Sequence, residues 1–264
     1  MAKKGDIGQV WDYVVNTQVW RSIMRHGYPD TPRNRSLAIM ANVFFHLHPI
    51  RLRKSGLRVR YTWCMGGLTF FLFLVETITG LLLMFYYRPT AEYAYHDIVY
   101  LRADVALGTM REIHRWGAHA MVITIWLHMM RVFLTGAYKP PREFNWGVGV
   151  VLLVLTLLLS FTGYLLPWDQ LAIWAITVGS NMARATPFAG NEGPGSALLK
   201  LGDIPLVNNA SDARFALLGG RFVGEGALLR FYVLHCVGLP LVAGFLMAIH
   251  FWRIRRDGGI SGPL

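Results

Sequence analysis

Apolar residues come in four long runs. Trp63–Tyr87, Trp116–Thr135, Trp146–Trp168 and Phe231–Trp252 each hold about the ~20 residues that a helix needs to cross the hydrocarbon core of a bilayer. Aromatic residues mark most of their ends, as in an interfacial belt, and the third run carries no formal charge before Asp169. Ahead of them, Ile7, Val10, Trp11, Val14, Ile23 and Met24 recur at helical spacing with Asp12, Asn16 and Arg21 between them. That stretch, Ile7–Met24, predicts an amphipathic helix lying on the membrane surface, or else one that binds a partner. The fold class expected is an all-α membrane protein, a four-transmembrane-helix up-down bundle with an N-terminal amphipathic surface helix. Residues 1–60 form an N-terminal segment on the negative side, and residues 61–264 form the transmembrane domain.

The second run breaks the apolar pattern in a telling way. Arg111 to Thr135 carries His114, His128, Arg111, Arg115 and Arg131. Ionisable residues inside a membrane are costly and mark function by default. On a helix, the fourteen residues between His114 and His128 bring both imidazoles to within about 40° of one face, roughly 21 Å apart along the axis. His235 and His250 in the fourth run repeat the arrangement at fifteen residues, about 60° from alignment. One such pair is often only a set of hydrogen-bonded polar residues; two at nearly equal spacing point to a shared ligand.

The glycines sharpen this. Gly66 and Gly80 in the first run, and Gly149 and Gly163 in the third, are also fourteen residues apart. A single glycine in a transmembrane helix usually serves close packing. When the intervals match those of the histidines, the missing Cβ atoms open room for something flat against the backbone. Because successive spans alternate direction, Gly80 and Gly163 share a level with His114 and His235, and Gly66 and Gly149 share one with His128 and His250. Each layer then offers two histidines and two glycines. A planar macrocycle with two axial imidazoles fits, so each layer is expected to hold a bis-histidine haem b suited to electron transfer. A closed zinc site needs more ligands than a layer supplies. Arg111, Arg115 and Arg131 are placed to pair with haem propionates, or to snorkel to the interface.

Composition and charge agree with the membrane reading. The chain has 264 residues, 54% of them hydrophobic, and a positive mean hydropathy. The net charge of +11 would suit nucleic acid, but its distribution argues against that partner. Eleven of the 26 Lys and Arg residues precede the first run, three lie at or after the end of the second (Arg131, Lys139, Arg142) and three follow the fourth. The positive-inside rule therefore puts both termini on the cytoplasmic, negative side. The opening MAKKGDIGQVWDY has no apolar run behind its lysines and does not read as a cleavable signal. Cys64 and Cys236 make no disulfide framework, and no C-x-x-C-H haem-attachment motif is present. His46 and His48 lack further ligands at metal spacing.

The ordered motifs YTWCMGG…TG…FYYRP, HRW…LHMMRVFLTGAYKPPRE, TGYLLPWDQ, RFYVLH…LP…HFW and GISGPL resemble the cytochrome b/b6 family, specifically its short b6-type subunit. The likeness runs from about Tyr61 to Leu264 and includes VWDY at Val10. The fifteen-residue interval between His235 and His250 and the end after four helices favour the b6 type.

The resemblance implies that His114 and His235 ligate the haem near the positive face, and His128 and His250 the one near the negative face. It implies a third, c-type haem attached through a single thioether to Cys64. Pro167-Trp168-Asp169 matches the segment bordering the quinol-oxidation pocket, which makes Trp168 and Asp169 site residues. The family completes that pocket with a Pro-Glu-Trp-Tyr or Pro-Asp-Trp-Tyr motif, which is missing from the sequence, so a separate subunit is expected to carry the remaining cytochrome b helices.

The function so implied is that of the cytochrome b subunit of a bc-type quinol oxidoreductase. It moves electrons across the membrane and couples quinol oxidation to proton translocation. Its partners would be a Rieske-type iron–sulfur protein, a c-type cytochrome subunit, quinone and membrane lipid, within a dimeric complex of the bacterial plasma membrane. Glu76 stands where b6-type chains commonly have Gln; it is expected to shift the haem potential or to join Asp169 in proton release. The segment His26–Arg60 is longer than in the plant-type subunit. A dihaem b membrane anchor of a quinone-linked dehydrogenase is the alternative, and a non-redox transporter a distant third.

Overall fold

The computed structural model describes residues 6–23, 31–35 and 63–257. Most of the segment His26–Arg60, with His46 and His48, lies outside the described residues, as does the GISGPL tail. Contacts divide the chain into two compact units. The first draws on Met1–Thr69, Ile123–Val154 and Gly244–Leu264, the second on Phe70–Val122 and Leu155–Ala243.

The expected surface helix is present but broken. Helix α1 (Asp6–Asn16) and helix α2 (Gln18–Ile23) meet at Thr17, whose hydroxyl accepts a hydrogen bond from the Trp20 amide at 3.2 Å. That bond caps α2 and ends the single helix predicted over Ile7–Met24. Trp11 and Trp20 meet edge to face across the break, with centroids 5.3 Å apart. Gln18 Nε2 donates to Glu143 Oε1 at 2.7 Å, tying the pair to the start of the third span within the first unit.

Among the described residues, four helices are long and apolar enough to cross a membrane: Met65–Met84, Ala106–Leu134, Glu143–Leu165 and Glu225–Asp257. They fall on the four predicted runs, and the chain is an all-α membrane protein of the expected class. Large apolar side chains such as Phe71, Ile78, Ile123, Val151, Leu158 and Leu241 stand exposed on these helices, the surface that lipid covers.

Helix α3 (Met65–Met84) holds its threonines by local bonds. Thr69 and Thr79 donate to the carbonyls of Met65 and Val75 at 2.9 and 2.7 Å, which satisfies their hydroxyls without water. Helix α4 (Ala94–Ala103) follows, a segment that no periodicity announced. Helix α5 (Val105–Leu134) begins about ten residues before the predicted span, because Asp104 Oδ1 accepts the Leu107 amide at 2.8 Å and caps it. At 30 residues it is about 45 Å long, more than the hydrocarbon core requires. Helix α6 (Glu143–Leu165) supplies the third span.

The stretch between the third and fourth spans has more order than its sequence announces. Asp169 caps helix α7 (Gln170–Ala183), and Asp212 caps helix α8 (Ala213–Leu218) by accepting the Phe215 amide at 2.8 Å. Between them lies a two-stranded antiparallel hairpin, β1 (Lys200–Leu201) and β2 (Ile204–Pro205), with Lys200 opposite Pro205. Leu165, Ile176, Leu218, Ala227 and Phe231 bury one another in the core of the second unit.

The fourth span is three pieces wound as one: α9 (Glu225–Val233), a π turn at Leu234–Gly238, and α10 (Leu239–Asp257). A π turn takes in one extra residue. The fifteen-residue interval from His235 to His250 thus winds as fourteen, the interval of the other histidine pair. In the last turn, Arg253 and Asp257 form an ion pair at 2.6 Å, with both side chains fully buried and the guanidinium 5.3 Å from the Phe144 ring.

Two predictions follow from these anchors. Removing one partner of a buried ion pair strands the other charge, so Asp257→Ala is expected to cost roughly 3–5 kcal/mol, read as lower thermal stability of the purified protein in detergent. Beyond α3, Arg88 holds Asp97 through its backbone amide at 2.9 Å and its guanidinium at 2.6 and 3.1 Å, and these bonds keep the Asp97 carboxyl below its usual range. A depressed folded value gives stability that is fully present above the unfolded value of about 3.9 and is lost as pH falls through the folded one. Asp97→Asn is expected to flatten that acid limb of a melting-temperature-against-pH curve.

Candidate functional site

The four histidines fall into two pairs, one in each unit. In the second unit His114 from α5 and His235 from the π turn have ring centroids 6.2 Å apart and planes at 84°. In the first unit His128 from α5 and His250 from α10 are 6.5 Å apart at 80°. With metal–nitrogen bonds of roughly 2 Å on each side, two imidazoles across one metal have centroids about 6 Å apart. Both separations fit.

The glycines pack against these rings. A Cβ on Gly80 would stand 3.1 Å from His114 Cε1, and one on Gly163 only 2.6 Å from His235 Cε1. On Gly66 it would stand 3.2 Å from His128 Cε1, and on Gly149 at an ordinary 3.7 Å from His250 Cε1. Each glycine therefore meets the histidine predicted for its layer. What lies against the bare backbone is the edge of the imidazole itself.

Thr79 and Thr162, one residue before Gly80 and Gly163, add a function that the sequence reading missed. His114 Nδ1 lies 2.9 Å from Thr79 Oγ1, and His235 Nδ1 lies 3.2 Å from Thr162 Oγ1 and 3.1 Å from the Leu159 carbonyl. A carbonyl only accepts, so His235 carries its hydrogen on Nδ1 and leaves Nε2 for a metal, as ligating histidines do. The repeated Thr-Gly dipeptide was the signal available. In the other unit, His250 Nδ1 is buried without a well-formed hydrogen bond, although the Asn145 backbone acts on it.

Among the described residues no group of three or more His, Cys, Asp or Glu is arranged to hold a metal ion. Each pair supplies two imidazoles, which would hold a metal that brings its remaining ligands with it. The donor set and the ring spacing suit bis-histidine haem.

The remaining candidates vary in how they stand to these pairs. Arg111, largely buried, donates to Glu112 Oε1 at 2.9 Å, and the more exposed Arg115 binds Glu112 Oε2 and lies over Trp116. Two of the three expected propionate partners thus share Glu112, which the sequence reading left unassigned. Arg131 closes the last turn of α5. Glu76 Oε2 approaches His114 Nδ1 at 3.1 Å.

Cys64 is exposed and precedes α3 directly. It and Trp63 both take left-handed backbone conformations, φ 49° and 53°, which non-glycine residues rarely adopt and which cluster at functional sites. Trp168 is also left-handed and packs against the core of the second unit. Asp169 Oδ1 accepts the Ala172 amide at 2.8 Å, so this carboxylate serves as a helix cap. A cavity of about 460 Å³ lies beside Phe85, Arg88, His96, Asp97 and Tyr100.

Residues 52–193 match the family described as Cytochrome b/b6/petB. Cytochrome b6 of Porphyra purpurea is 42% identical over 207 residues, covering 78% of this chain and 86% of the relative. Cytochrome b6 of Synechococcus sp. (strain JA-3-3Ab) has the same identity and coverage. Among solved structures, a chain of a hyperthermophilic respiratory Complex III superposes with a TM-score of 0.63 at 25% identity. The match covers 94% of this chain and 55% of that one, so this chain spans about half of its length.

The glycine contacts predict graded effects. Gly163→Ala must displace His235 and is expected to remove one of the two b-type absorbance components, whereas Gly149→Ala leaves room for His250 and retains both; reduced-minus-oxidised spectra of the purified protein distinguish them. Paired imidazoles opposite side-chain-free backbone, and relatives matching most of its length, show that the chain belongs to the cytochrome b/b6 family, whose members bind haem b.

Proposed function

We propose that this chain is the cytochrome b subunit of a bc-type quinol oxidoreductase. The observation that carries the reading is the pair of bis-imidazole sites, His114 with His235 and His128 with His250, each at the separation that one six-coordinate iron requires. Haem bound at these sites supplies one-electron transfer across the membrane, coupled to quinol oxidation and proton translocation. The chain's own contribution is to hold the His114 and His235 imidazoles in fixed orientation, through Thr79, Thr162 and the Leu159 carbonyl, and to keep water away behind apolar spans.

Cys64, exposed at a strained turn within the first unit, is the attachment point for a covalent c-type haem. Arg111, Arg115 and Arg131 are the cations for propionate groups, with Glu112 as the competing partner of the first two. Trp168 and Asp169 border the quinol-oxidation pocket, where the Asp169 cap fixes the start of α7. The protein works with a Rieske-type iron–sulfur protein, a c-type cytochrome subunit and a separate subunit carrying the remaining cytochrome b helices, in a dimeric complex of a bacterial plasma membrane with both termini on the negative side. The names of the relatives and of the Complex III structure support this reading.

A haem stain on a denaturing gel tests it against the dihaem anchor. A stained band near 29.8 kDa that disappears in Cys64→Ala, while the reduced b-type bands persist, is the expected result. An unstained band with normal b-type spectra would favour the anchor. Absence of b-type absorbance would rule out both.

A further inference from the structure

One histidine in the spans belongs to neither pair. His119 stands at the middle of α5, five residues on from His114 and about 7.5 Å further along the axis. With about 22 Å of helix to either side and a hydrocarbon core about 30 Å thick, it lies inside the apolar layer. Yet His119 is exposed. Its ring is nevertheless fixed: Nδ1 lies 2.6 Å from the Arg115 carbonyl one turn earlier, and the Trp116 indole flanks it with centroids 5.4 Å apart. Because a carbonyl can only accept, the hydrogen sits on Nδ1, and Nε2 of the neutral ring is left as an acceptor. Among the described residues Nε2 forms no hydrogen bond.

Hydrocarbon offers that nitrogen no donor, and an unsatisfied polar group at such depth is costly. The donor has to be brought by something else that enters the bilayer. The surface around His119 suits a helix: Ile113 and Trp116 precede it at intervals of three on the same face, 48% and 61% exposed. Apolar side chains with a hydrogen-bonding group among them are how spanning helices hold one another. The separate subunit that would carry the remaining cytochrome b helices has to pack against this chain, which spans 55% of the Complex III chain it resembles.

We propose that the outer face of α5 around His119 is the docking surface for a membrane-spanning helix of that subunit, one that brings a hydrogen-bond donor, a hydroxyl, amide or indole N–H, to His119 Nε2. This rests on the reading of a separate subunit given above. Lipid tails bring no donor. A second copy of this chain, related by a twofold axis along the membrane normal, would bring only another acceptor nitrogen to that depth.

The test uses the purified complex with its further membrane subunit, identified by the Pro-Glu-Trp-Tyr or Pro-Asp-Trp-Tyr motif. With p-benzoylphenylalanine in place of Trp116, ultraviolet light is expected to crosslink this chain to an apolar segment of that subunit, located by mass spectrometry of the peptides. His119→Leu is expected to increase dissociation of the subunit about threefold on dilution in detergent, the size of an average interhelical hydrogen bond. His119→Gln keeps an acceptor and is expected to hold the subunit near the unaltered level. The b-type absorbance stays unchanged in both, since His119 belongs to neither histidine pair. Crosslinks only to lipid or to a second copy of this chain would overturn the proposal; so would dissociation that is alike in His119→Leu and His119→Gln. A complex that purifies without a further membrane subunit would instead count against the reading on which the proposal rests.

Discussion

The close approach of an imidazole edge to helix backbone is what the rest of the structure depends on. A histidine in an apolar span has two ring nitrogens to satisfy, and lipid satisfies neither. In the second unit one nitrogen turns to a threonine hydroxyl, or to a carbonyl, on the facing helix, and the other is left for a metal. That geometry brings the ring onto the neighbouring backbone at the next residue, where a Cβ would collide at 2.6 Å at Gly163 and crowd the ring at 3.1 Å at Gly80. Threonine and glycine therefore act together, one orienting the ring and the other admitting it.

The spans themselves are anchored at their ends, where polar chemistry becomes affordable. Asp104, Asp169 and Asp212 each accept a backbone amide and set where a helix starts. Arg88 grips Asp97 by two kinds of donor, and Tyr87 donates to the Leu166 carbonyl at 2.6 Å while stacking on Tyr232. Burial pushes the Tyr87 hydroxyl well above its usual range, so it remains a donor at any physiological pH. Paired histidines thus occupy the middle of the spans and capping acids their ends.

Much of this was legible in the sequence because membrane spans and metal ligands leave periodic traces. Four apolar runs gave the four spans, and matched intervals of histidine and glycine gave which glycine meets which imidazole. The start of α5 was hidden because Arg111, Glu112 and Arg115 interrupt the hydropathy, while the signal that starts the helix is a single capping acid at 104. Helix α4 and the stretch from Arg184 to Arg230 were illegible for a related reason: short caps, a two-residue hairpin and a small core of Leu165, Ile176, Leu218 and Phe231 have no period to detect. Asp169 was read by its motif as chemistry, yet its carboxylate also has a structural duty. The threonines at 79 and 162 were visible as a repeated dipeptide, but only coordinates connect them to the rings.

The wide turn at Leu234–Gly238 has a consequence for how this helix tolerates change. An ordinary α-helix rotates about 100° with every residue, so inserting or deleting one residue swings all that follows to another face. Here the spare residue is already housed in a local bulge at His235, and the helix after it keeps its heading. Shortening the bulge would restore a regular helix and, by doing so, turn His250 away from its partner. An irregularity in the hydrogen-bond ladder is thus what preserves the regularity of the histidine spacing.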